Sequence, residues 1–385
     1  IASTSALIQE HVPARPDIAH IFNKSACRLN DRCLAWDQQV KVILIPHMIM
    51  QQTKSTSVYK SPNQRGDQFF LPWAPKVTRE KFSEVVTWKL SQSRLAKKKM
   101  LESYEPQIQE KALDLWKSHV AALRVMWLGH ASFMIQLDGR TFVIDPVLGD
   151  INFFTKRAVP LPFDPGNLPS IDVIVLTHGH FDHLDTKTLD YLGKQNPQAQ
   201  FYLPLGMRKY LSKGLQERAT EFNWWDDIQL DSITCTFLPS QHWHQRGPFD
   251  YNKALWGGWW FQGERESFYH TGDSGYFGGF KAIHDHMGRP TAMTLPMGAY
   301  APRWLMKAQH MNPEEAIRAW TDVEATYGIP MHYGTFDLSD EPLDYGVREA
   351  RDLISKHPER HTLTTNFIKL GHGGSAGFED CIRQK

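Results

Sequence analysis

The chain has 385 residues, of which 41% are hydrophobic and 22% are charged. This composition excludes a mainly disordered chain, and the length allows one large domain or two ordinary ones. The 43 basic and 42 acidic residues leave a net charge of +1, which argues against nucleic acid as a partner. No apolar run approaches the roughly 18 residues of a membrane-spanning helix, so such a helix is excluded.

The first 67 residues resemble no recognisable pattern, and we predict that they form an N-terminal extension of unassigned role. Cys27 and Cys33 lie close enough in sequence to be bridged, but two reduced thiols are the favoured interpretation. No signal peptide is visible. We expect a soluble or peripheral membrane protein and leave its compartment open, with the cytoplasm favoured over the periplasm.

A short amphipathic segment follows the predicted extension. Phe82, Val85, Val86 and Leu90 recur at helical spacing, and Lys76, Arg79, Lys81 and Lys89 surround them. Such a basic amphipathic helix can lie on a membrane surface. More often it packs on the core with a solvated outer face, and we favour that interpretation.

From about residue 124 onward, strand and helix patterns alternate with clear turn signals. The Asp138-Gly139 pair between two apolar runs predicts a β-hairpin. Asp185 and Asn312 are expected to cap helices. Strands are predicted at 124–128, 133–137, 141–144, 173–176, 233–238, 255–261, 268–271, 292–295 and 331–333, and helices at 185–193, 205–213 and 312–327. This alternation predicts a layered α/β domain over residues 68–385.

The strongest chemical signal follows the buried strand at 173–176. It is a cluster of metal-binding side chain types, namely His178, His180, Asp182 and His183. Imidazole and carboxylate suit Zn²⁺, with iron and manganese as alternatives. Four ligands so close together strain the geometry around one tetrahedral ion, but two ions can share them. An exposed polar loop with accidental histidines is the less favoured interpretation.

Three more candidate ligands stand at the ends of later predicted strands: His242, Asp273 and His332. Each is weak evidence by itself, because a single histidine is more often structural. A carboxylate has two oxygens and can bridge two cations. Asp273 is therefore the natural ligand to be shared between two ions.

The order of these ligands resembles that of the metallo-β-lactamase superfamily of binuclear hydrolases. Within it, residues 68–372 are similar to the N-acylphosphatidylethanolamine-hydrolysing phospholipase D group. The motifs that carry the resemblance include WLGHA at 127–131, PSQHW at 239–243, GDSGY at 272–276, GAYAPRW at 298–304, QHMNPEEA at 309–316 and HYGTF at 332–336.

The resemblance implies an αβ/βα four-layer sandwich with two Zn²⁺ ions at one edge. One ion would be held by His178, His180, His242 and Asp273, and the other by Asp182, His183, Asp273 and His332. The implied reaction hydrolyses N-acylphosphatidylethanolamine to N-acylethanolamine and phosphatidic acid. The implied partners are a phospholipid substrate at a membrane surface and a second copy of the chain in a homodimer.

Three further residues are candidates for substrate contact or for positioning the ligands. His310 is expected to contact phosphate or donate a proton, or else to hydrogen-bond near a helix start. His130 is expected to orient a ligand or touch substrate. Phe181 stands where the animal members carry a tyrosine. Together with Asp182 and Asp273, His310 completes the predicted catalytic set.

Two other functions stay open at this stage. A different hydrolase of the same superfamily, such as a sugar-phosphate lactonase or another phosphodiesterase, would use the same ligands. A non-catalytic metal-binding scaffold is less favoured, because all seven candidate ligands are present.

Overall fold

A computed structural model of the chain describes residues 58–75, 82–91, 93–118 and 121–378. Cys27, Cys33 and three basic residues of the amphipathic segment (Lys76, Arg79 and Lys81) lie outside the described residues, as does most of the predicted extension. The described residues belong to one compact unit. It begins with a short hairpin of Gln64–Arg65 (β1) and Gln68–Phe69 (β2). The boundary at residues 67 and 68 stays a prediction.

The rest of the described chain alternates strands with helices. The strands are Leu123–Gly129 (β3), Ser132–Leu137 (β4), Arg140–Ile144 (β5), Val173–Val175 (β6), Gln200–Pro204 (β7), Ala219–Phe222 (β8), Asp227–Leu230 (β9), Ile233–Leu238 (β10), Gly258–Gln262 (β11), Ser267–His270 (β12), Ala292–Pro296 (β13), Tyr327–Met331 (β14) and Ser375–Phe378 (β15). The helices are Phe82–Leu90 (α1), Arg94–Leu101 (α2), Ala112–Ser118 (α3), Thr186–Gln195 (α4), Lys213–Gln216 (α5), Gly279–Met287 (α6), Arg303–Met306 (α7), Pro313–Val323 (α8), Tyr345–Lys356 (α9) and Arg360–Asn366 (α10).

The strands form two mixed sheets. The seven-stranded sheet has the order β15-β3-β4-β5-β6-β7-β8, and the six-stranded sheet has the order β14-β13-β12-β11-β10-β9. In the first sheet, the strands from β15 to β5 pair antiparallel and those from β5 to β8 pair parallel. The second sheet is antiparallel from β9 to β12 and parallel from β12 to β14.

The alternation of side chains along β4 shows how the two sheets build the core. Phe133, Ile135 and Leu137 belong to one buried cluster, whereas Met134 belongs to another, because successive side chains of a strand point to opposite faces. The first cluster also contains Phe261 and other residues of the six-stranded sheet, so it fills the space between the sheets.

Helices cover the outer faces of both sheets. Leu189 and Leu192 of α4 pack with Met134 in the second cluster, on the outside of the seven-stranded sheet. Ile317 and Trp320 of α8 pack with residues of the six-stranded sheet. The layers therefore run helix, sheet, sheet, helix, which confirms the predicted αβ/βα sandwich.

Two helix predictions were wrong in extent. Instead of one helix at 205–213, the chain forms a 3₁₀ turn at Arg208–Tyr210 and then the short α5. Gly206 has a φ of +82°, and the backbone of Lys253 lies so close that a Cβ would meet its oxygen at 2.6 Å. The helix begun at Asn312 ends at Val323 rather than near 327, because Glu324 adopts a left-handed conformation.

The amphipathic segment is helical, as predicted. In α1, Trp88 is buried and donates a hydrogen bond from Nε1 to Asp340 Oδ1 at 2.8 Å, whereas Val86 and Leu90 are exposed. Among the described helices, none combines the length and the apolar character that crossing a bilayer requires.

Candidate metal centre

The loop after β6 carries the first group of candidate ligands. Asp185 caps α4 by accepting from the backbone of Lys187 and Thr188, and this fixes where the loop ends. Within the loop, His178 Nε2 lies 2.9 Å from His180 Nδ1. The polar loop therefore begins at the edge of the sheet, where β6 ends. The side chains of this loop converge there.

A third histidine completes the first ligand group. His242, four residues beyond β10, places its Nε2 3.1 Å from His180 Nδ1. The three ring nitrogens of His178, His180 and His242 all lie within 4.8 Å of one another, as atoms that share one metal ion do. His242 Nδ1 lies 3.2 Å from the backbone oxygen of Gln309, which fixes its ring orientation.

The second ligand group lies next to the first. Ligand atoms of His130, Asp182, His183 and His332 also lie within 4.8 Å of one another. His183 Nε2 and His332 Nε2 are 3.6 and 3.5 Å from Asp182 Oδ2. The structure therefore brings three of the predicted ligands of the second ion together, with His130 beside them.

Asp273 stands between the two groups. Its Oδ2 lies 3.1 Å from His183 Nε2 and 3.0 Å from His332 Nε2. The same oxygen is 3.9 Å from both His178 Nε2 and His242 Nε2. All seven predicted ligands are thus in one cluster, and Asp273 has the central position that a bridging carboxylate needs.

Several buried atoms of this cluster lack hydrogen-bond partners within the described part of the chain. They include His183 Nε2, His332 Nε2 and Asp273 Oδ1. The two imidazole nitrogens approach Asp273 Oδ2 closely, but without hydrogen-bonding geometry. Buried polar groups are rarely left unsatisfied in native proteins. Neutral imidazoles and carboxylates that converge in this way fit divalent metal ions such as zinc.

The charge states of the first ligand group and of Asp273 match those of metal ligands. Burial lowers the pKa of His178, His180 and His242, to about 4 for His180, so these rings are neutral near pH 7. Burial alone would raise the pKa of Asp273, but His183 and His332 overcome this effect and hold it well below its usual value.

The carboxylates around the two remaining candidate histidines, His183 and His332, raise the pKa values of their rings. Burial acts to lower the pKa of His332, but Asp273 and Asp182 outweigh it and raise the pKa to about 9. The same two aspartates raise the pKa of His183 well above its ordinary value against the effect of burial. These two imidazoles would release their protons when a cation takes the position between the carboxylates.

Polar neighbours hold the ligands in place. Asp145 Oδ2 lies 2.7 Å from His183 Nδ1, and the same carboxylate accepts from the backbone and hydroxyl of Thr177. His130 Nε2 lies 2.9 Å from Asp182 Oδ2, which suits a role in orienting that carboxylate. His130, Asp145 and His332 all have a positive φ, a strained conformation that concentrates at functional sites.

Sequence reasoning did not identify Arg246, although it contacts both ends of the ligand loop. Its Nη1 donates to the backbone oxygens of Gly179 and Leu184 at 3.0 and 2.8 Å. Its guanidinium also lies 4.2 Å from the ring centroid of Phe181. No sequence signal pointed to this role, because the partners are backbone carbonyls 67 and 62 residues away.

A cavity of about 350 Å³ opens over the cluster. Its polar end consists of four candidate ligands (His180, Asp182, Asp273 and His332) and His310, whose Nδ1 is 3.9 Å from Asp273 Oδ2. Burial lowers the pKa of His310 to about 4. The other walls are mainly apolar: Val85, Trp88, Ile151, Phe181, Trp243, Ala299, Leu305, Met306 and Leu338.

Comparisons with known proteins agree with this architecture. Residues 140–333 match a family model described as a β-lactamase superfamily domain. The chain is 35% identical over 292 residues to the N-acyl-phosphatidylethanolamine-hydrolyzing phospholipase D 1 of Caenorhabditis elegans, which covers 72% of this chain and 81% of that protein. It is 28% identical over 235 residues to a UPF0173 metal-dependent hydrolase of Methanopyrus kandleri (60% of this chain, 93% of the relative).

Among solved structures, a metallo hydrolase of Ignicoccus hospitalis superposes with a TM-score of 0.52 at 20% identity, covering 67% of this chain and 99% of that one. This likeness supports the fold alone. Similarity in sequence is shown by the family model and by the relative from Caenorhabditis elegans. The chain belongs to the metallo-β-lactamase superfamily and, within it, to the group that includes the N-acylphosphatidylethanolamine-hydrolysing phospholipase D enzymes.

Proposed function

We propose that this protein is a binuclear zinc phosphodiesterase of the phospholipase D type, which hydrolyses N-acylphosphatidylethanolamine to N-acylethanolamine and phosphatidic acid. The observation that carries the proposal is the position of Asp273 Oδ2 between two groups of ligands at the floor of an apolar cavity. The activity for which the Caenorhabditis elegans relative is named supports the choice of substrate.

In the proposed reaction, water adds to phosphorus and the bond between phosphorus and the head-group oxygen breaks. The leaving oxygen takes a proton and departs as the alcohol of N-acylethanolamine, and the phosphate stays on the diacylglycerol. Two zinc ions would supply a water of lowered pKa and positive charge for the phosphoryl oxygens. His178, His180 and His242 would hold one ion, and Asp182, His183 and His332 the other.

His310 is the candidate for contact with the phosphate. It lies beside Asp273 at the polar end of the cavity, and its Nδ1 has no hydrogen-bond partner among the described residues. With its pKa lowered to about 4 by burial, the ring is neutral near pH 7 and offers one N–H. This favours a hydrogen bond to a phosphoryl oxygen over donation of a full proton.

The walls of the cavity support a lipid substrate over a sugar phosphate. Trp88, Leu305 and Met306 contribute apolar surface on which an acyl chain can pack. In the described part of the chain, no lysine or arginine lines this cavity. A lactonase acting on a sugar phosphate would need such cations to hold its free phosphate group. The lactonase therefore remains the second candidate.

The test is product analysis with metal-loaded protein on vesicles of N-acylated and plain phosphatidylethanolamine. We expect N-acylethanolamine and phosphatidic acid from the first lipid and much slower turnover of the second. Release of free fatty acid would contradict cleavage of the D type. Turnover of a lactone but of no phospholipid would favour the lactonase, and no turnover of any ester would favour a scaffold.

Two ligand variants and one control separate metal-dependent turnover from contamination. His178→Ala and Asp273→Asn should stay folded, contain less metal and lose activity by at least about a hundredfold. His286→Gln changes an exposed histidine outside the cavity and should keep full activity. Full activity in an Asp273→Asn protein with a full complement of metal would contradict the bridging role.

A further inference from the structure

Two neighbouring phenylalanines beside the cavity are almost fully exposed. Phe153 is 80% and Phe154 is 91% exposed. They lie in the segment 151–155, in which Ile151, Asn152 and Thr155 line the cavity. The two rings therefore stand at the edge of the opening that leads to the metal centre.

Two helices that line the cavity repeat this arrangement. In α1, Val85 and Trp88 line the cavity, and in α7, Leu305 and Met306 do so. Each of these helices also carries at least one large apolar side chain that faces solvent. We call the exposed set the apolar rim, and its members are Val86, Leu90, Phe153, Phe154 and Trp304.

The segment with the two phenylalanines is a defined turn. Asn152 Oδ1 accepts from the backbone of Phe154 and Thr155 at 2.8 and 3.0 Å, and the backbone of Ile151 donates to Thr155 at 3.1 Å. Arg157 then anchors the chain by donating to the backbone oxygens of Val147 and Leu128. The backbone thus holds both rings outward, although their exposure is unfavourable in water.

Two lysines accompany the rim. Lys89 Nζ lies 3.9 Å from the ring centroid of Trp88, and Lys156 Nζ lies 5.5 Å from that of Phe153. Lys156 also pairs with Asp150 at 3.0 Å. An exposed aromatic ring with a lysine ammonium beside it, such as Phe153 with Lys156, is typical of segments at a membrane interface.

We infer that the apolar rim is the surface that docks on a lipid bilayer, with Phe153 and Phe154 inserted among the lipid head groups. The inference rests on the proposed function, because a phospholipid substrate resides in such a surface. A protein partner bound over the rim would close the cavity. A bilayer covers the same rim and supplies the cavity with substrate, so a lipid can enter without its acyl chains crossing water.

The test compares a Phe153→Ser/Phe154→Ser double variant with the unchanged protein, both loaded with metal. Binding is measured by co-sedimentation with vesicles of phosphatidylcholine, with and without phosphatidylglycerol. Turnover of soluble bis(p-nitrophenyl) phosphate reports the metal centre separately. Tyr191→Ser is the matched control, because it removes a partly exposed aromatic ring from α4, which contributes no residue to the cavity wall.

The double variant should bind both kinds of vesicle about tenfold or more weakly, since two apolar rings leave the interface. It should hydrolyse the soluble ester at the normal rate, and Tyr191→Ser should match the unchanged protein in both assays. Equal binding by the double variant overturns the inference, as does conversion of a dimer to a monomer with vesicle binding unaffected.

The docking surface and the proposed function can fail separately. If the protein binds vesicles through Phe153 and Phe154 but releases no N-acylethanolamine from them, the docking surface stands and the substrate is wrong. If it releases N-acylethanolamine and the double variant does so equally well on vesicles, the substrate stands and the docking surface is wrong.

Discussion

Asp145 and His183 form a fully buried pair, in which Oδ2 of the aspartate lies 2.7 Å from Nδ1 of the histidine. The contact turns Nε2 of His183 toward Asp273, 3.1 Å away. Asp145 also accepts from the backbone and hydroxyl of Thr177, immediately before the ligand loop. One carboxylate therefore fixes both the end of β6 and the orientation of a candidate ligand.

Replacement of this carboxylate should weaken metal binding without removing a ligand. Asp145→Asn keeps the size of the side chain but loses the charge that orients and polarises the imidazole. We expect the metal affinity to fall about 10- to 100-fold. Competition with a chromophoric chelator measures this change. Asp185→Asn is the control, because asparagine caps a helix as well as aspartate does, and equal affinities for all three proteins would contradict the role of Asp145.

The contacts of Arg246 lead to a second prediction. Its Nη1 donates to the carbonyls of Gly179 and Leu184, which flank the loop that carries three candidate ligands. Arg246→Met should lower the free energy of unfolding by about 2 kcal/mol, because both carbonyls lose a charged donor. It should also lower the metal affinity, since the loop is no longer held at both ends.

Urea denaturation and chelator competition measure the two effects of Arg246→Met. Lys253→Met is the control, because Lys253 forms an ion pair with Asp67 at 2.7 Å on the surface, where water screens the attraction. Unchanged metal affinity in Arg246→Met, with stability reduced, would show that Arg246 supports the fold alone.

The clustering of the candidate ligands was largely predictable from the sequence, because these residues follow strands that have clear patterns. His178 comes directly after an apolar run, and His242 and Asp273 follow two strands that pair in the same sheet through β11. Strand ends meet at a sheet edge, so a correct assignment of strands is enough to bring such residues together.

The supporting contacts were less predictable for a physical reason. Arg246 acts on backbone carbonyls, which every residue has, so nothing in the sequence marks its partners. The segment 205–213 was predicted to be a helix closed by Gly214, but the close approach of the Lys253 backbone to Gly206 imposes a turn. Tertiary contacts of this kind override local preferences.

Removal of the metal should destabilise the protein strongly. Without cations, the histidines and carboxylates of the cluster remain buried with unsatisfied ligand atoms, among them His332 Nε2 and Asp273 Oδ1. A site filled at a free metal concentration about 100-fold above its Kd stabilises the native state by about 2.7 kcal/mol. Two such sites should therefore contribute about 5 kcal/mol in total.

Urea denaturation in a zinc buffer and in excess chelator measures this contribution. Zinc should raise the unfolding free energy of His178→Ala less than that of the unchanged protein, because the first ligand group has lost one member. Identical urea midpoints for the unchanged protein under both conditions would contradict the metal centre.

His372, which is not a candidate ligand, should contribute to the pH dependence of stability. His372 is buried, with its ring centroid 4.4 Å from that of Trp127 and its Nε2 3.1 Å from Thr335 Oγ1. Burial, followed by the charge of Arg157, lowers its pKa to about 4. The pKa of histidine in an unfolded chain is about 6.5. Between these two values the unfolded chain binds more protons, so stability falls as the pH falls.

His372→Gln should reduce this dependence, because glutamine keeps a polar contact with Thr335 but does not titrate. In urea denaturation of metal-free protein, we expect the decline in unfolding free energy below about pH 6.5 to be shallower by about 1 kcal/mol per pH unit. His361→Gln, which replaces an exposed histidine outside the contact with Thr335, is the control and should leave the slope unchanged. If the unfolding free energies of His372→Gln and of the unchanged protein change equally with pH, His372 is protonated equally in the folded and unfolded chains.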